Sequence, residues 1–120
     1  MKISIITVCF NSEVTIEKAI QSVLSQTYGN IEYIVVDGSS NDITLEIIKK
    51  YEYKISKWIS EPDNGLYDAM NKGIALATGD LVGILNSDDI FTDNNVLENI
   101  AKFHIENNID ASVGDIIQFN

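Results

Sequence analysis

Short apolar runs and helical apolar stripes alternate along this chain. Ile3, Ile5, Ile6 and Val8 crowd the first segment at the density of a strand. Ile16, Ala19, Ile20, Val23 and Leu24 then recur at the three- and four-residue spacing of one helix face. Ser12 is the expected N-cap of that helix, Glu13 lies in its first turn, and Tyr28, Gly29 and Asn30 close it. The β-branched run at residues 31–36 predicts a second strand. Thr44, Ile47, Ile48 and Tyr51 mark a second helix, capped by Asn41 or Asp42, and residues 55–59 a short third strand. Residues 60–65 form a turn-rich break around the single proline, Pro62. Leu66, Ala69, Met70, Gly73, Ile74 and Ala77 follow as the cleanest helical stripe, stopped by Thr78, Gly79 and Asp80. Residues 81–85 predict a fourth strand. Asp93 is the expected cap of a last helix carrying Val96, Leu97, Ile100 and Ala101, and a final strand is expected near residues 111–119. Strands that alternate with helices imply an α/β fold, a mostly parallel sheet with helices on both faces.

The chemistry collects where strands stop. Leu81, Val82, Ile84 and Leu85 run directly into Asn86, Ser87, Asp88 and Asp89. A buried strand that ends at two acids delivers them to the carboxyl edge of the sheet, where open α/β sheets bind ligands. Adjacent carboxylates repel unless a cation or proton lies between them, and hard oxygen ligands suit Mg²⁺ or Mn²⁺ holding a phosphate. A lone acid pair after a strand also reads as a solvated turn. The second strand, however, repeats the arrangement, ending Val35, Val36, Asp37 before the turn residues Gly38, Ser39, Ser40, Asn41 and Asp42. The first strand ends with Thr7, Cys9, Phe10 and Asn11. Three such strand ends describe one cleft.

Composition narrows the classes. The chain has 120 residues, enough for one core, and its 45% hydrophobic and 22% charged content is that of a globular domain. A net charge of −10 argues against nucleic acid and anionic membranes as partners. An acidic protein that takes a phosphate-bearing ligand needs a cation between them. Cys9 is the single cysteine, which rules out an internal disulfide and suits a reducing compartment. With no base nearby in sequence, it reads as a small buried residue. No apolar run approaches the roughly 18 residues of a membrane span. The apolar start is broken by Ser4 and Thr7 and lacks a small-residue cleavage site, so it reads as a strand, not a signal peptide.

Several enzyme classes lack their marks. Neither G-x-G-x-x-G nor G-x-x-x-x-G-K-[ST] occurs, which argues against dinucleotide oxidoreductases and P-loop enzymes. A phospho-receiver domain would want an acid pair after the first strand and a lysine ending the last. Cys9, Phe10 and Asn11 stand at the first place, and no lysine lies in residues 111–120. A sugar nucleotidyltransferase would want a glycine-rich, basic loop where Phe10, Asn11, Ser12 and Glu13 stand. A non-catalytic nucleotide-binding module that works with a partner chain stays open.

Taken in order, the segments SIITVCFN (residues 4–11), SVLSQTY (22–28), IVVDGSSND (34–42), EPDNGLYDAMNKG (61–73), TGD (78–80) and NSDD (86–89) resemble the N-terminal half of a family 2 glycosyltransferase of GT-A fold. The resemblance covers essentially the whole chain. It implies an inverting transfer of a sugar from a nucleotide-diphosphate donor, UDP-linked by preference, to an acceptor saccharide or lipid-linked saccharide in bacterial surface polysaccharide assembly. The implied setting is cytoplasmic, peripheral to the inner membrane in a longer protein.

The resemblance also implies roles. Thr7 would line the floor of the nucleotide pocket, with Cys9 and Asn11 beside it. Asp37 would accept a hydrogen bond from the base, an arrangement that suits uracil because its N3 carries a proton. Asp63 would border the donor pocket. Asn86, Ser87 and Asp88 fall on the family's D-x-D motif. Asp88 would be the ligand of Mn²⁺ or Mg²⁺, Asp89 a reserve ligand, and Asn86 a neutral substitute for the usual first acid. Lys72 reads as either a phosphate partner or a solvated helix residue. The catalytic base is expected beyond residue 120, with residues 1–120 forming the donor and metal part and the acceptor-binding half absent. A cut there would expose apolar surface and favour self-association.

Overall fold

A computed structural model of the chain describes residues 1–106 and 116–118. Five strands, β1 (Ile3–Cys9), β2 (Ile31–Asp37), β3 (Lys57–Ser60), β4 (Leu81–Ile84) and β5 (Ile116–Gln118), form one sheet in the order β3-β2-β1-β4-β5. Every pairing is parallel. The helices are α1 (Ile16–Leu24), α2 (Thr44–Lys50), α3 (Leu66–Leu76) and α4 (Val96–Glu106). Apart from β5, the remainder of the predicted last strand falls outside the described residues.

The apolar runs of β1, β2 and β4 are near-continuous because both faces of the sheet are covered. Ile3, Ile5, Tyr33, Val35, Leu81 and Leu85 point to one face, where Ile16, Ile20 and Val23 of α1, Ile48 of α2, and Leu97 and Ala101 of α4 meet them. Ile6, Val8, Ile34, Val36, Val82 and Ile84 point to the other face, toward Ala69 of α3. That second face is tight. A Cβ on Gly73 would stand 2.5 Å from Cγ2 of fully buried Ile6, so glycine lets α3 lie close on β1.

Three cap expectations change. The backbone N-cap of α1 is Thr15, with no side-chain bond, and the Ser12 hydroxyl is engaged elsewhere. Ser12 contributes its carbonyl, which accepts from the Thr15 and Ile16 N–H groups. The α1 helix also stops at Leu24, ahead of Tyr28. At α4 the Leu97 N–H is bonded by Gln26 Oε1 at 3.1 Å, while Asp93 closes a turn onto the Asn95 N–H. A side chain 71 positions away thus satisfies a helix start that the sequence assigned to its local acid. At α2 the backbone N-cap is Ile43 and not Asn41 or Asp42, although the Asp42 carboxylate, one position earlier, accepts the Thr44 N–H at 2.9 Å.

At the amino edge of the sheet, Glu32 is 5% exposed and fixes the turn between α3 and β4. Its carboxylate accepts from Ser4 Oγ at 2.8 Å, Thr78 N at 2.8 Å and Thr78 Oγ1 at 2.9 Å, and pairs with Lys57 Nζ at 3.1 Å. Burial opposes its charge, but the Thr78 N–H, the two hydroxyls and Lys57 outweigh that and hold its pKa at about 2, against an ordinary 4.5. A carboxylate lowered on folding stabilises the fold above its unfolded pKa and loses that contribution as pH falls toward 2. We expect acid to remove about 3 kcal/mol of stability through this group. Denaturant unfolding between pH 5 and pH 2 checks it: Glu32→Gln should be weaker than the wild type at pH 5 and close to it at pH 2. Parallel pH curves for the two chains would refute the assignment.

Candidate functional site

The chain proceeds outward from β1 to β2 and β3 on one side, and to β4 and β5 on the other. The strand order thus reverses between β1 and β4, and the loops after these two strands lie side by side at the carboxyl edge, where open α/β sheets bind ligands. A cleft of about 460 Å³ lies there, and its walls include Cys9, Phe10, Ser12, Asp63, Asn86, Ser87 and Asp88.

Five of the residues marked from sequence thus meet on one cleft: Cys9, Asp63, Asn86, Ser87 and Asp88. Four stand elsewhere. Thr7 is fully buried and its hydroxyl is shared with Tyr33 Oη at 2.8 Å, so it supports the sheet and does not form the pocket floor. Side chains alternate along β1, and position 7 points into the α1–α2 face of the core. Asn11 is a brace between loops: its N–H donates to Ser40 Oγ at 2.8 Å, and its Oδ1 accepts from Asn41 N at 2.8 Å. Asp89 is half-buried beyond the cleft wall, with its N–H on the Asn86 carbonyl. Burial and then the neighbouring Asp88 charge push its carboxyl up, the repulsion expected of adjacent acids.

Asp37 is the fourth. It is fully buried, directly behind Cys9 in the β1–β2 register. Its Oδ1 accepts from Ser40 Oγ and from the Cys9 thiol at 3.5 Å, and its Oδ2 from Ser40 N at 3.0 Å and Ser60 Oγ at 2.7 Å. Four donors occupy the roughly four acceptor positions of a carboxylate. Burial, followed by the Asp37 charge, pushes the Cys9 thiol up, which keeps it protonated and a donor rather than a nucleophile. Gly38 lets the next wall approach, since a Cβ there would lie 2.6 Å from Asp63 Oδ2. Asp63 is held by the Gly65 N–H at 3.0 Å.

Lys72 does not face the cleft. Its ammonium binds the Pro62 carbonyl at 2.8 Å and Glu61 at 3.1 Å, tying the turn to α3. The wall residues that the motif reading passed over are Phe10, Ser12 and Leu66. Phe10 is 58% exposed at the end of a buried strand, and Leu66 is 53% exposed at the start of α3. A large apolar side chain directly beside a strand-end polar cluster was the available signal.

The cation fit is partial and specific. Asp88 is exposed and makes no hydrogen bond among the described residues. Nearby, Oδ1 of Asn86 is buried on the cleft wall with no hydrogen-bond partner. An orphaned oxygen of this kind is costly unless a ligand satisfies it. Among the described residues no three acids, histidines or cysteines gather into a cage. Mg²⁺ and Mn²⁺ sites that bind substrate phosphates commonly use one or two protein oxygens, with phosphate and water completing the shell. Asn86 and Asp88 fit that donor set.

The model of glycosyl transferase family 2 matches residues 4–120. The chain belongs to this family. An uncharacterized glycosyltransferase of Mycobacterium tuberculosis is 45% identical over 91 residues, covering 75% of this glycosyltransferase chain and 35% of the relative. Among solved structures, residues 1–349 of S. aureus TarS in complex with UDP-GlcNAc superpose with a TM-score of 0.82 at 31% identity, covering 88% of this chain and 32% of TarS. Glucosyl-3-phosphoglycerate synthase of M. tuberculosis, in complex with Mn²⁺, UDP and glucosyl-3-phosphoglycerate, superposes at 0.62 with 27% identity, covering 72% and 33%. The chain spans about a third of the length of each of the three. These likenesses establish the α/β, GT-A glycosyltransferase architecture of the chain.

Proposed function

We propose that this chain forms the donor half of an inverting glycosyltransferase and binds a UDP-linked sugar with Mn²⁺ or Mg²⁺. The observation that carries the reading is the unpartnered Asn86 Oδ1 beside the open Asp88 carboxylate, on a cleft at the switch point. Asn86 and Asp88 would hold the cation. When bound, it supplies charge neutralisation for the departing diphosphate. The diphosphate sits at this end of the cleft and the base at the Phe10–Cys9 end, where the exposed ring of Phe10 offers a stacking face.

Asp37 lies one layer behind that end. Of its four donors, the Cys9 thiol is the weakest and the one on the cleft wall. A uracil N3–H is therefore positioned to replace the thiol at Asp37, while the serine donors remain. Two relatives whose structures hold UDP or UDP-GlcNAc are in keeping with a uridine donor. The acceptor hydroxyl would attack the anomeric carbon in line as the diphosphate leaves, and its base is assigned to no residue of this chain. We further propose a surface polysaccharide or lipid-linked saccharide as acceptor, in an enzyme that works on the cytoplasmic side of the membrane. No helix among the described residues is long and apolar enough to cross one.

Calorimetric titration of UDP, GDP and CDP into the chain, with Mn²⁺ and with EDTA, tests the donor reading. UDP should bind more tightly than the other two, and more tightly with Mn²⁺ than with EDTA. Equal affinity for all three nucleotides would remove the uridine assignment. Binding unaffected by EDTA would remove the cation.

A further inference from the structure

Ser12 was expected to cap α1, and its hydroxyl instead spans the switch-point crevice. Ser12 Oγ lies 2.9 Å from Ser87 Oγ, on the far wall. It also donates to the Phe10 carbonyl at 3.2 Å and accepts the Phe10 N–H at 3.3 Å. The Ser12 backbone is equally committed. Its N–H donates to Oγ1 of fully buried Thr44 at 2.8 Å, and its carbonyl takes the first N–H groups of α1. One half-buried residue thus joins the start of α1, the start of α2, the end of β1 and the loop after β4.

Hydroxyl arithmetic fixes the direction of the bridge. A serine hydroxyl has one proton and two lone pairs. Ser12 spends its proton on the Phe10 carbonyl and one lone pair on the Phe10 N–H, which leaves one lone pair to accept from Ser87. Ser87 is then the donor across the crevice, and both of its own lone pairs stay available to the cleft. Ser12 has no group left to offer a ligand. Ser87 sits between Asn86, whose Oδ1 is unpartnered, and Asp88, whose carboxylate is open.

We propose that Ser12 is a positioning residue for the cation and diphosphate, a role that rests on the donor reading given above. By taking the Ser87 proton it pins the middle of the loop, so that the oxygens of Asn86, Ser87 and Asp88 converge on one point in the cleft. Ser12 acts on the diphosphate end of the ligand through Ser87, while its bonds to the Phe10 backbone bear on UDP and uridine alike and cancel in the ratio of their affinities.

Calorimetry on the chain separates this from a structural role. The probes are UDP with Mn²⁺ and uridine without metal, and the variants are Ser12→Ala, Ser87→Ala, the double variant and Ser12→Thr. Ser12→Ala should weaken UDP–Mn²⁺ binding about tenfold, and the ratio of UDP–Mn²⁺ to uridine affinity should fall by that factor. In the same ratio the double variant should fall no further than Ser87→Ala alone, and Ser12→Thr, which keeps the hydroxyl, should restore it. Ser87→Ala leaves both Ser12 bonds to Phe10 intact, so its fall in the ratio is readable even if Ser12→Ala folds poorly. Additive losses in the double variant would mean that Ser12 touches the ligand itself and would overturn the proposal. An unchanged ratio would reduce Ser12 to a structural residue. A wild-type chain that binds no UDP would overturn the donor reading, whereas wild-type binding matched by both alanine variants would overturn the role of Ser12 alone.

Discussion

Replacing Asp88 with alanine is expected to remove the manganese-dependent part of UDP binding, a loss of about a hundredfold or about 3 kcal/mol. The size follows from what the cleft otherwise offers a diphosphate. The chain carries a net charge of −10, and Asp63, Asp88 and Asp89 lie on or beside the cleft. Among the described residues no lysine or arginine is on its wall, and Lys72 is committed to Glu61 and the Pro62 carbonyl. Without the carboxylate, Asn86 offers a cation a neutral oxygen only. The fold should tolerate the change, because Asp88 is exposed and bonds nothing among the described residues. Titration with Mn²⁺ should separate variant from wild type, and EDTA should bring them together. A difference that persists in EDTA would mean that Asp88 acts on the nucleotide without a cation.

Asp37→Ala is expected to cost about 3–5 kcal/mol of stability, lowering the melting temperature by roughly 10–20 °C. The carboxylate organises four donors, one from β1, one from β3 and two from the turn after β2. Ser40 N–H and Oγ and Ser60 Oγ lose this acceptor together, and the Cys9 thiol is left with the Val36 carbonyl at 3.6 Å. Ser39 already takes a left-handed φ of 61°, so this turn is kept in place by its bonds, not by backbone preference. Asp37→Asn should lose less, because the amide oxygen can keep the Ser40 N–H and Ser60 while the Ser40 hydroxyl rotates to accept. Thermal melts followed by circular dichroism check the order: alanine lowest, asparagine between, wild type highest. An alanine variant as stable as the wild type would show that water satisfies these donors and that the buried carboxylate is dispensable to the fold.

Residues that act through periodicity were legible in the sequence, and residues that act through long-range polar contacts were not. The apolar runs ending at Val36 and Leu85 announced buried parallel strands, and the acids after them announced the carboxyl edge. From the alternation of strand and helix came the two-faced sheet. Nothing periodic ties Gln26 to Leu97, Ser12 to Ser87 or Lys72 to Pro62, yet these bonds cap α4, bridge the crevice and commit Lys72 to the turn before α3. The motif reading also put Thr7 on the pocket floor, whereas it is fully buried with its hydroxyl on Tyr33, and it did not show that a thiol stands between Asp37 and the cleft. A motif records which residues a site needs, but the depth at which each acts depends on the pleat. Position 7 turns into the core, and position 37 is screened by the thiol paired with it.

The central place of β1 has a consequence for how the chain is made. The strand synthesised first pairs Ile3 with Ile31 on one side and with Leu81 on the other. On the ribosome it must therefore wait for some 80 further residues, about 4–16 s at ordinary elongation rates, before its second edge is covered. Throughout that interval its β4 edge stays open, with apolar Ile3, Ile5 and Ile6 along it and only Ser4 and Thr7 as polar interruptions. Vectorial synthesis thus leaves one edge of a strand that is buried throughout the folded domain open until β4 emerges, and we expect protection of that edge to raise yield.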